Sequence, residues 1–204
     1  MQFAIAGNIG AGKTSLAELL SKHYKWEPHF EDVIDNPYLD DFYVHMERWS
    51  FNLQVYFLNS RFRQLMSFNG SEKSVVQDRT VYEDAYIFAP NLHSMGLMNQ
   101  RDFKNYISLF ELMESMIKAP ELLIYLRSSI PNLVSKIHKR GREYENSISI
   151  DYLSRLNERY EAWISTYDKG KLLVIDVDNL DFVHNKEDLG VIIEKVDAEM
   201  NGLF

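Results

Sequence analysis

The sequence contains no cysteine, so neither disulfide bonds nor thiolate metal sites are possible among its 204 residues. Basic residues are also scarce, with 22 lysines and arginines against 30 aspartates and glutamates and a formal net charge of −8. Nucleic acids and anionic membranes bind basic surfaces, so we expect neither as a partner. The chain has no apolar run of the roughly 18 residues that a membrane-spanning helix needs, and no signal-peptide pattern at its N-terminus. We expect one cytoplasmic domain over residues 1–204.

The strongest motif lies at the start of the chain. A short apolar run, Phe3 to Ala6, predicts a buried strand, and Ser15 to Tyr24 predicts a helix. Between them lies a phosphate-binding loop of the form Gly-x-x-x-x-Gly-Lys-Thr. In such a loop backbone N–H groups surround phosphate oxygens, Lys13 bridges the β- and γ-phosphates, and the Thr14 hydroxyl ligates Mg²⁺. The pattern predicts a bound nucleoside triphosphate. The loop residues are Gly7, Asn8, Ile9, Gly10, Ala11, Gly12, Lys13 and Thr14.

Strand patterns alternate with helix patterns along the rest of the chain. The predicted strands are Phe3–Ala6, Trp26–Phe30, Ser74–Asp78, Leu122–Leu126 and Lys171–Val177. The predicted helices are Ser15–Tyr24, most of Leu39–Phe68, Tyr82–His93, Arg101–Lys118, Asn132–Lys139, Ile150–Tyr167 and Glu187–Met200. Strands separated by helices form parallel sheets that are covered on both faces. The sequence therefore predicts an α/β fold with a five-stranded parallel sheet.

Charged residues follow two of the predicted strands, and ligands in α/β sheets bind beyond the carboxyl ends of the strands. Glu31 follows the second strand and can accept a proton from an attacking hydroxyl. Asp78 and Arg79 follow the third strand, where Asp78 can hold Mg²⁺ through water and Arg79 can stabilise charge on a transferred phosphoryl group. Charged residues also cluster at strand ends simply because loops are solvated, so this alternative stays open.

Two polar residues interrupt an otherwise apolar helix. Gln54 and Arg61 are seven residues apart and share one helix face. A solvated face is one interpretation. A pocket for a nucleobase is the other, because a glutamine amide offers both a donor and an acceptor.

A cluster of cations predicts a lid over residues 136–146. Lys136, Arg140 and Arg142 lie within about two helical turns of one another, and Gly141 separates the two arginines. A solvated basic turn is the plain alternative. In an acidic chain with a phosphate-binding loop, arginines of a lid can close on the triphosphate and exclude water.

Several spaced motifs, from Met1 to about Phe182, resemble the deoxynucleoside kinase family, and most closely its bacterial deoxyadenosine/deoxyguanosine kinases. The sequence departs from several animal members at Asn36, where they carry tryptophan. The motifs are Asp78-Arg79-Thr80 with Asp84, Glu47-Arg48-Trp49 leading to Gln54, and Lys139-Arg140-Gly141-Arg142 with Glu145.

The resemblance implies a P-loop kinase fold with a short arginine-rich lid, and a homodimer. It implies transfer of the ATP γ-phosphoryl group, with Mg²⁺, to the 5′-hydroxyl of deoxyadenosine or deoxyguanosine, and more weakly deoxycytidine. The catalytic residues it implies are Glu31 as the base, with Lys13, Arg79, Arg140 and Arg142. The binding residues it implies are Tyr43 and Glu145 for the 3′-hydroxyl, Gln54, Arg61, Asp84 and the stacking Phe88 for the base, and Lys136, Arg140, Asp181 and Phe182 for ATP.

Two other functions are compatible with a phosphate-binding loop. A nucleoside monophosphate kinase, such as a thymidylate kinase, has a similar lid but needs further basic residues for its acceptor's phosphate. A GTPase switch would use Asn185-Lys186-Glu187-Asp188 to bind guanine, but it also needs an Asp-x-x-Gly motif, which the sequence lacks. We instead interpret Asn185 as a helix N-cap.

Overall fold

A computed structural model of the chain describes residues 1–30, 36–68, 73–142, 145 and 147–202. In this part of the chain, five parallel strands form one sheet in the order β2-β3-β1-β4-β5. The predicted α/β fold with a five-stranded parallel sheet is therefore confirmed, and β1 lies at the centre of the sheet. The strands are β1 (Gln2–Gly7), β2 (Glu27–His29), β3 (Val75–Asp78), β4 (Leu122–Arg127) and β5 (Lys171–Asp176).

Helices cover both faces of the sheet. Successive side chains of β1 point to opposite faces, so Phe3 and Ile5 pack in one apolar core and Ala4 in the other. The first core includes residues of α1 and α9, and the second includes residues of α3, α5, α6 and α8. The helices are α1 (Lys13–Tyr24), α2 (Leu39–Val44), α3 (Met46–Phe68), α4 (Val81–Glu83), α5 (Ala89–Ser94), α6 (Gln100–Glu114), α7 (Ile130–Arg140), α8 (Ile150–Ser165) and α9 (Lys186–Asn201).

Two predicted helices are more irregular than their patterns suggest. The helical stretch from Leu39 is divided at His45, whose backbone (φ −138°, ψ 69°) separates α2 from α3. The stretch from Tyr82 contains a π-helical turn, Asp84–Phe88, between α4 and α5. Such turns add a residue to the helical repeat and are frequent at functional sites.

The central position of β1 brings three elements together around the phosphate-binding loop. A Cβ atom on Gly10 would lie 2.9 Å from Ile137 Cγ1, because α7 packs directly on the loop. A Cβ on Gly12 would lie 2.9 Å from the ring of Phe182, which follows β5. Both glycines have positive φ (88° and 96°), so a side chain at either position would also strain the backbone. Within the described residues, the helices are all too short or too polar to cross a membrane.

Candidate active site

The phosphate-binding loop joins the central strand to α1, as the sequence predicts. Gly12 occupies the N-cap position of α1 with φ 96°, and Gly12, Lys13 and Thr14 line a cavity at this helix end. Lys13 is 7% exposed, and its Nζ donates a hydrogen bond to the Asn8 carbonyl at 3.0 Å. A helix N-terminus with open N–H groups and a lysine beside it is a binding site for phosphate.

Two cavities meet at this loop. The first, called here the α3 cavity, has a volume of about 320 Å³ and is bounded by Leu53, Gln54 and Phe57 of α3. The second, called the α7 cavity, has a volume of about 420 Å³ and lies between α7 and the loop after β5. The boundary between the cavities is therefore cationic. The residues that line both cavities are Gly10, Lys13, Thr14, Arg140 and Arg142.

Thr14 and Asp78 bring a hydroxyl and a carboxylate together beside this boundary. The Thr14 hydroxyl donates to Asp78 Oδ2 at 2.5 Å, and Asp78 is 3% exposed. Hydroxyl and carboxylate oxygens suit Mg²⁺, which keeps several waters and also binds substrate phosphates. In the described part of the chain there is no group of three or more histidine, aspartate or glutamate side chains that could hold a metal. The Thr14–Asp78 pair therefore fits an ion held mainly by phosphate and water.

Arg79 is held in a strained conformation at the end of β3. Its φ is 72°, a region that L-residues seldom occupy and that is concentrated at functional sites. Its guanidinium lies 4.4 Å from the centre of the Phe88 ring, a cation–π contact. Both residues line the α3 cavity. The π-helical turn that begins at Asp84 carries Phe88 to this position.

The predicted base-recognition residues form one wall of the α3 cavity. Gln54 and Asp84 line the cavity, and Arg61 lies behind Asp84 in a buried ion pair with an Nη1–Oδ2 distance of 2.5 Å. Among the described residues, Gln54 Oε1 is buried and receives no hydrogen bond. Tyr106 of α6 is buried beside this pair. Burial raises the pKa of Tyr106 well above its ordinary value, and the Asp84 carboxylate raises it further.

Glu145 lines the α3 cavity and contacts two arginines that follow or end α7. It is 5% exposed and lines the α3 cavity together with Tyr43. Arg140 contacts both of its carboxylate oxygens, with Nε–Oε2 3.0 Å and Nη2–Oε1 2.5 Å. Arg142 Nη1 lies 3.6 Å from Oε1. One carboxylate thus contacts both Arg140 and Arg142 at the cavity boundary.

The α7 cavity contains the residues predicted to bind ATP. Lys136 lines it, and burial lowers the pKa of this lysine while Asp178 and Asp181 oppose the change. The pKa of Asp181 is held below its ordinary value mainly by the hydrogen bond with His184, at 2.9 Å. Phe182 also lines the cavity, but it is only 3% exposed because its ring packs on Gly12.

The structure brings most of the predicted site residues to these two cavities. Gly7, Asn8 and Ala11 belong to the loop but line neither cavity, and Arg61 lines neither because it lies behind Asp84. Glu31 lies outside the described residues. Sequence reasoning missed Tyr152, which lines the α3 cavity from the first turn of α8. It also missed Glu83, whose contacts are described below. Tyr152 belongs to no motif at recognisable spacing, whereas Thr80-x-x-Glu83 has the spacing of a capping box, which predicts a helix start but not the distant contacts of Glu83.

Comparison with known proteins agrees with this geometry. The family model described as deoxynucleoside kinase matches residues 3–201 of the chain. The chain is 37% identical over 194 residues to the deoxyadenosine/deoxycytidine kinase of Bacillus subtilis (strain 168), covering 94% of this chain and 89% of the relative. It is 35% identical over 205 residues to the deoxyguanosine kinase of the same organism, with 98% and 96% covered.

A solved structure gives the same result. The deoxyadenosine kinase from M. mycoides, with the products dCMP and a flexible dCDP bound, matches with a TM-score of 0.86 and 31% identity, covering 97% of this chain and 100% of that chain. The resemblance inferred from the sequence motifs is confirmed, and the chain belongs to the deoxynucleoside kinase family.

Proposed function

We propose that this deoxynucleoside kinase transfers the γ-phosphoryl group of ATP to the 5′-hydroxyl of a purine deoxynucleoside. The observation that carries the proposal is the meeting of the two cavities at Lys13, Thr14, Arg140 and Arg142. ATP occupies the α7 cavity and the nucleoside occupies the α3 cavity. The γ-phosphoryl group then lies at the cationic boundary, where positive charges stabilise the transferring group.

Residues in and beside the α3 cavity have separate roles in the proposed reaction. Glu31 directly follows Phe30, which lines the cavity, and takes the proton of the 5′-hydroxyl. Arg79, Arg140 and Arg142 neutralise the oxygens of the transferring group. Thr14 and Asp78 would hold Mg²⁺, which would supply positive charge to neutralise the phosphate groups.

The acceptor is an uncharged nucleoside. Tyr43 and Glu145 hold its 3′-hydroxyl. A tyrosine hydroxyl and a carboxylate suit a neutral hydroxyl rather than a phosphate. The rival GTPase motif has a structural explanation, because Asn185 Oδ1 accepts a hydrogen bond from the Glu187 N–H at 2.9 Å and caps α9. Relatives that are named for deoxyadenosine, deoxyguanosine and deoxycytidine support a nucleoside acceptor over a monophosphate.

The base is a purine. Gln54 pairs with an exocyclic amine and the adjacent ring nitrogen, as glutamine does with adenine. Asp84 supplies an acceptor to the same edge, Arg61 holds Asp84 from behind through their ion pair, and Phe88 stacks on the ring. Deoxycytidine shares an exocyclic amine but is smaller, so it is the weaker substrate, and thymidine is poor.

The proposal includes one domain with a lid over residues 136–146, a cytoplasmic location and a homodimer. Exposed apolar side chains support the dimer: Leu112 of α6 and Met116, two residues beyond the end of α6, are 57% and 53% exposed, and Tyr86 is 37% exposed. Tyr86 contacts Phe110 of α6 with ring centres 5.6 Å apart. Apolar surfaces of this kind are common at protein interfaces.

Chromatographic analysis of the products tests the function. Purified protein with ATP, Mg²⁺ and deoxyadenosine should form ADP and deoxyadenosine 5′-monophosphate in equal amounts. ATP consumption should not rise when deoxyadenosine 5′-monophosphate or thymidine 5′-monophosphate is added in place of deoxyadenosine. Formation of a diphosphate from an added monophosphate would contradict the proposal, as would hydrolysis of GTP without any acceptor.

A further inference from the structure

Glu83 is a fully buried carboxylate (0% exposed) that contacts the phosphate-binding loop, the residue after Arg79 and α8. Its Oε2 accepts from the Thr80 N–H at 2.7 Å and the Thr80 hydroxyl at 3.2 Å. Its Oε1 accepts from the Tyr160 hydroxyl at 2.8 Å and the Gly7 N–H at 3.3 Å. A buried carboxylate is costly unless hydrogen bonds replace its lost hydration. Four donors meet that requirement here, so the placement of Glu83 is specific.

A helix cap alone does not explain this arrangement. Glu83 and Thr80 form a capping box at the start of α4. Such boxes are ordinarily local and require no distant partners. Gly7 and Tyr160 lie 76 and 77 residues away in the chain, and their two hydrogen bonds add nothing to the cap. The second oxygen of Glu83 is therefore used to connect separate elements of the fold.

The connected elements are those that hold the phosphoryl-transfer groups. Gly7 begins the phosphate-binding loop with φ 154°, and a Cβ there would lie 3.0 Å from the Leu126 carbonyl. Thr80 directly follows Arg79, whose φ of 72° needs support from its surroundings. Glu83 thus fixes the loop of Lys13 and the strained turn of Arg79 relative to each other.

We infer that Glu83 is a positioning residue for phosphoryl transfer, acting through the Gly7 and Thr80 N–H groups. It touches no substrate, since it lines neither cavity. Its effect falls on kcat, because Lys13 and Arg79 must be aligned together only when the phosphoryl group moves. Tyr160 of α8 holds the same carboxylate from the opposite side. The inference rests on the proposed kinase reaction.

The substitution Glu83→Gln tests the inference because it conserves size but replaces one acceptor oxygen with a donor NH₂. That NH₂ must face either the Thr80 donors or the donors of Gly7 and Tyr160. We expect kcat to fall on the order of 10-fold to 10²-fold, as for a small misalignment of catalytic groups, with the KM values for deoxyadenosine and ATP changed by less than about threefold. Tyr160→Phe should lower kcat less, and the double variant should be no worse than Glu83→Gln, since both act on one carboxylate.

A second carboxylate–tyrosine pair, between α8 and β4, provides the control. The Tyr125 hydroxyl donates to Glu161 at 2.9 Å, and neither residue is among the described residues that line the α3 or α7 cavity. Glu161→Gln should keep kcat within about twofold of wild type. Tyr125→Phe should do the same, because it retains the ring that stacks on Tyr160 with centres 5.8 Å apart and removes only the hydroxyl. All kinetics are measured well below each variant's unfolding temperature, on protein shown to be folded by circular dichroism.

Two results would overturn the inference. One is a Glu83→Gln enzyme with a lowered unfolding temperature but wild-type kcat, which would make Glu83 only a stabilising residue. If Glu83→Gln does not fold, Tyr160→Phe decides: unchanged kcat in that variant has the same consequence. Wild-type protein that phosphorylates no deoxynucleoside would instead contradict the proposed function, so the two failures are distinguishable.

Discussion

Arg61 of α3 and Asp84 of the π-helical turn form a buried ion pair beside the α3 cavity, with side-chain exposures of 3% and 2%. Asp84 lines the cavity and Arg61 lies behind it, where its guanidinium also lies 4.8 Å from the Phe57 ring centre. A buried pair is retained at a desolvation cost unless its remaining donors and acceptors are satisfied. We propose that Asp84 presents the cavity side of this pair to the edge of a purine base.

The double substitution Arg61→Met with Asp84→Ala should shift preference toward thymidine. It removes the polar wall and leaves room for the thymine methyl group, while deoxyadenosine loses its partners. We expect the ratio of kcat/KM for thymidine over deoxyadenosine to rise on the order of 10²-fold, since polar pockets discriminate strongly against mismatched partners. Arg63→Met, on the exposed face of the same helix, is the control and should leave the ratio unchanged. An unchanged ratio in the double variant would contradict the roles of both residues.

Glu31→Gln should remove the general base. The amide cannot accept the proton of the 5′-hydroxyl, so kcat should fall by a factor on the order of 10²–10⁴. Nucleoside affinity, measured by calorimetry, should change much less. Glu27→Gln is the control, because Glu27 lies exposed on β2 four residues earlier. A Glu31→Gln enzyme that keeps a tenth of wild-type turnover would refute the assignment.

Asp78→Asn should weaken the use of Mg²⁺. The substitution retains the shape of the residue that contacts Thr14 but removes its negative charge. We expect the Mg²⁺ concentration for half-maximal activity to rise about 10-fold or more, typical of lost support in a metal site. Chelation with EDTA should abolish wild-type activity. Asp176→Asn, at the exposed end of β5, should leave the titration unchanged. Identical Mg²⁺ titrations for Asp78→Asn and wild type would exclude Asp78 from the site.

Light scattering tests the dimer. Wild-type protein at micromolar concentration should have twice the 24.0 kDa mass of one chain. Leu112→Glu with Met116→Glu should give monomers, because the interface would then bury unpaired carboxylates. Val191→Glu, at a 42% exposed site on α9, should remain dimeric. A wild-type mass of one chain would rule out the homodimer.

Much of this architecture was predictable from local sequence patterns. The apolar run before Gly7 and the helix after Thr14 are adjacent in the chain, so strand, loop and helix could be recognised together. The alternation of strands and helices likewise predicts a parallel sheet. Asn185 was correctly interpreted as the cap of α9.

Other features depend on contacts that sequence spacing does not reveal. The π-helical turn at Asp84–Phe88 has the same apolar pattern as an ordinary helix, so periodicity cannot distinguish it. The convergence of Glu83, Gly7 and Tyr160 joins residues from three distant segments, and a lone glutamate in a helix normally predicts an exposed side chain. Tyr152 reaches the α3 cavity only because α8 packs against the π-helical turn.

The most direct test of the central claim is a panel of kcat/KM values for the wild-type enzyme with ATP and Mg²⁺. Deoxyadenosine, deoxyguanosine, deoxycytidine and thymidine are each the sole acceptor, and the 5′-monophosphate product is quantified. The account predicts the highest values for deoxyadenosine and deoxyguanosine, a lower value for deoxycytidine and the lowest for thymidine. A thymidine value equal to that of deoxyadenosine would contradict base recognition by Gln54, Arg61 and Asp84.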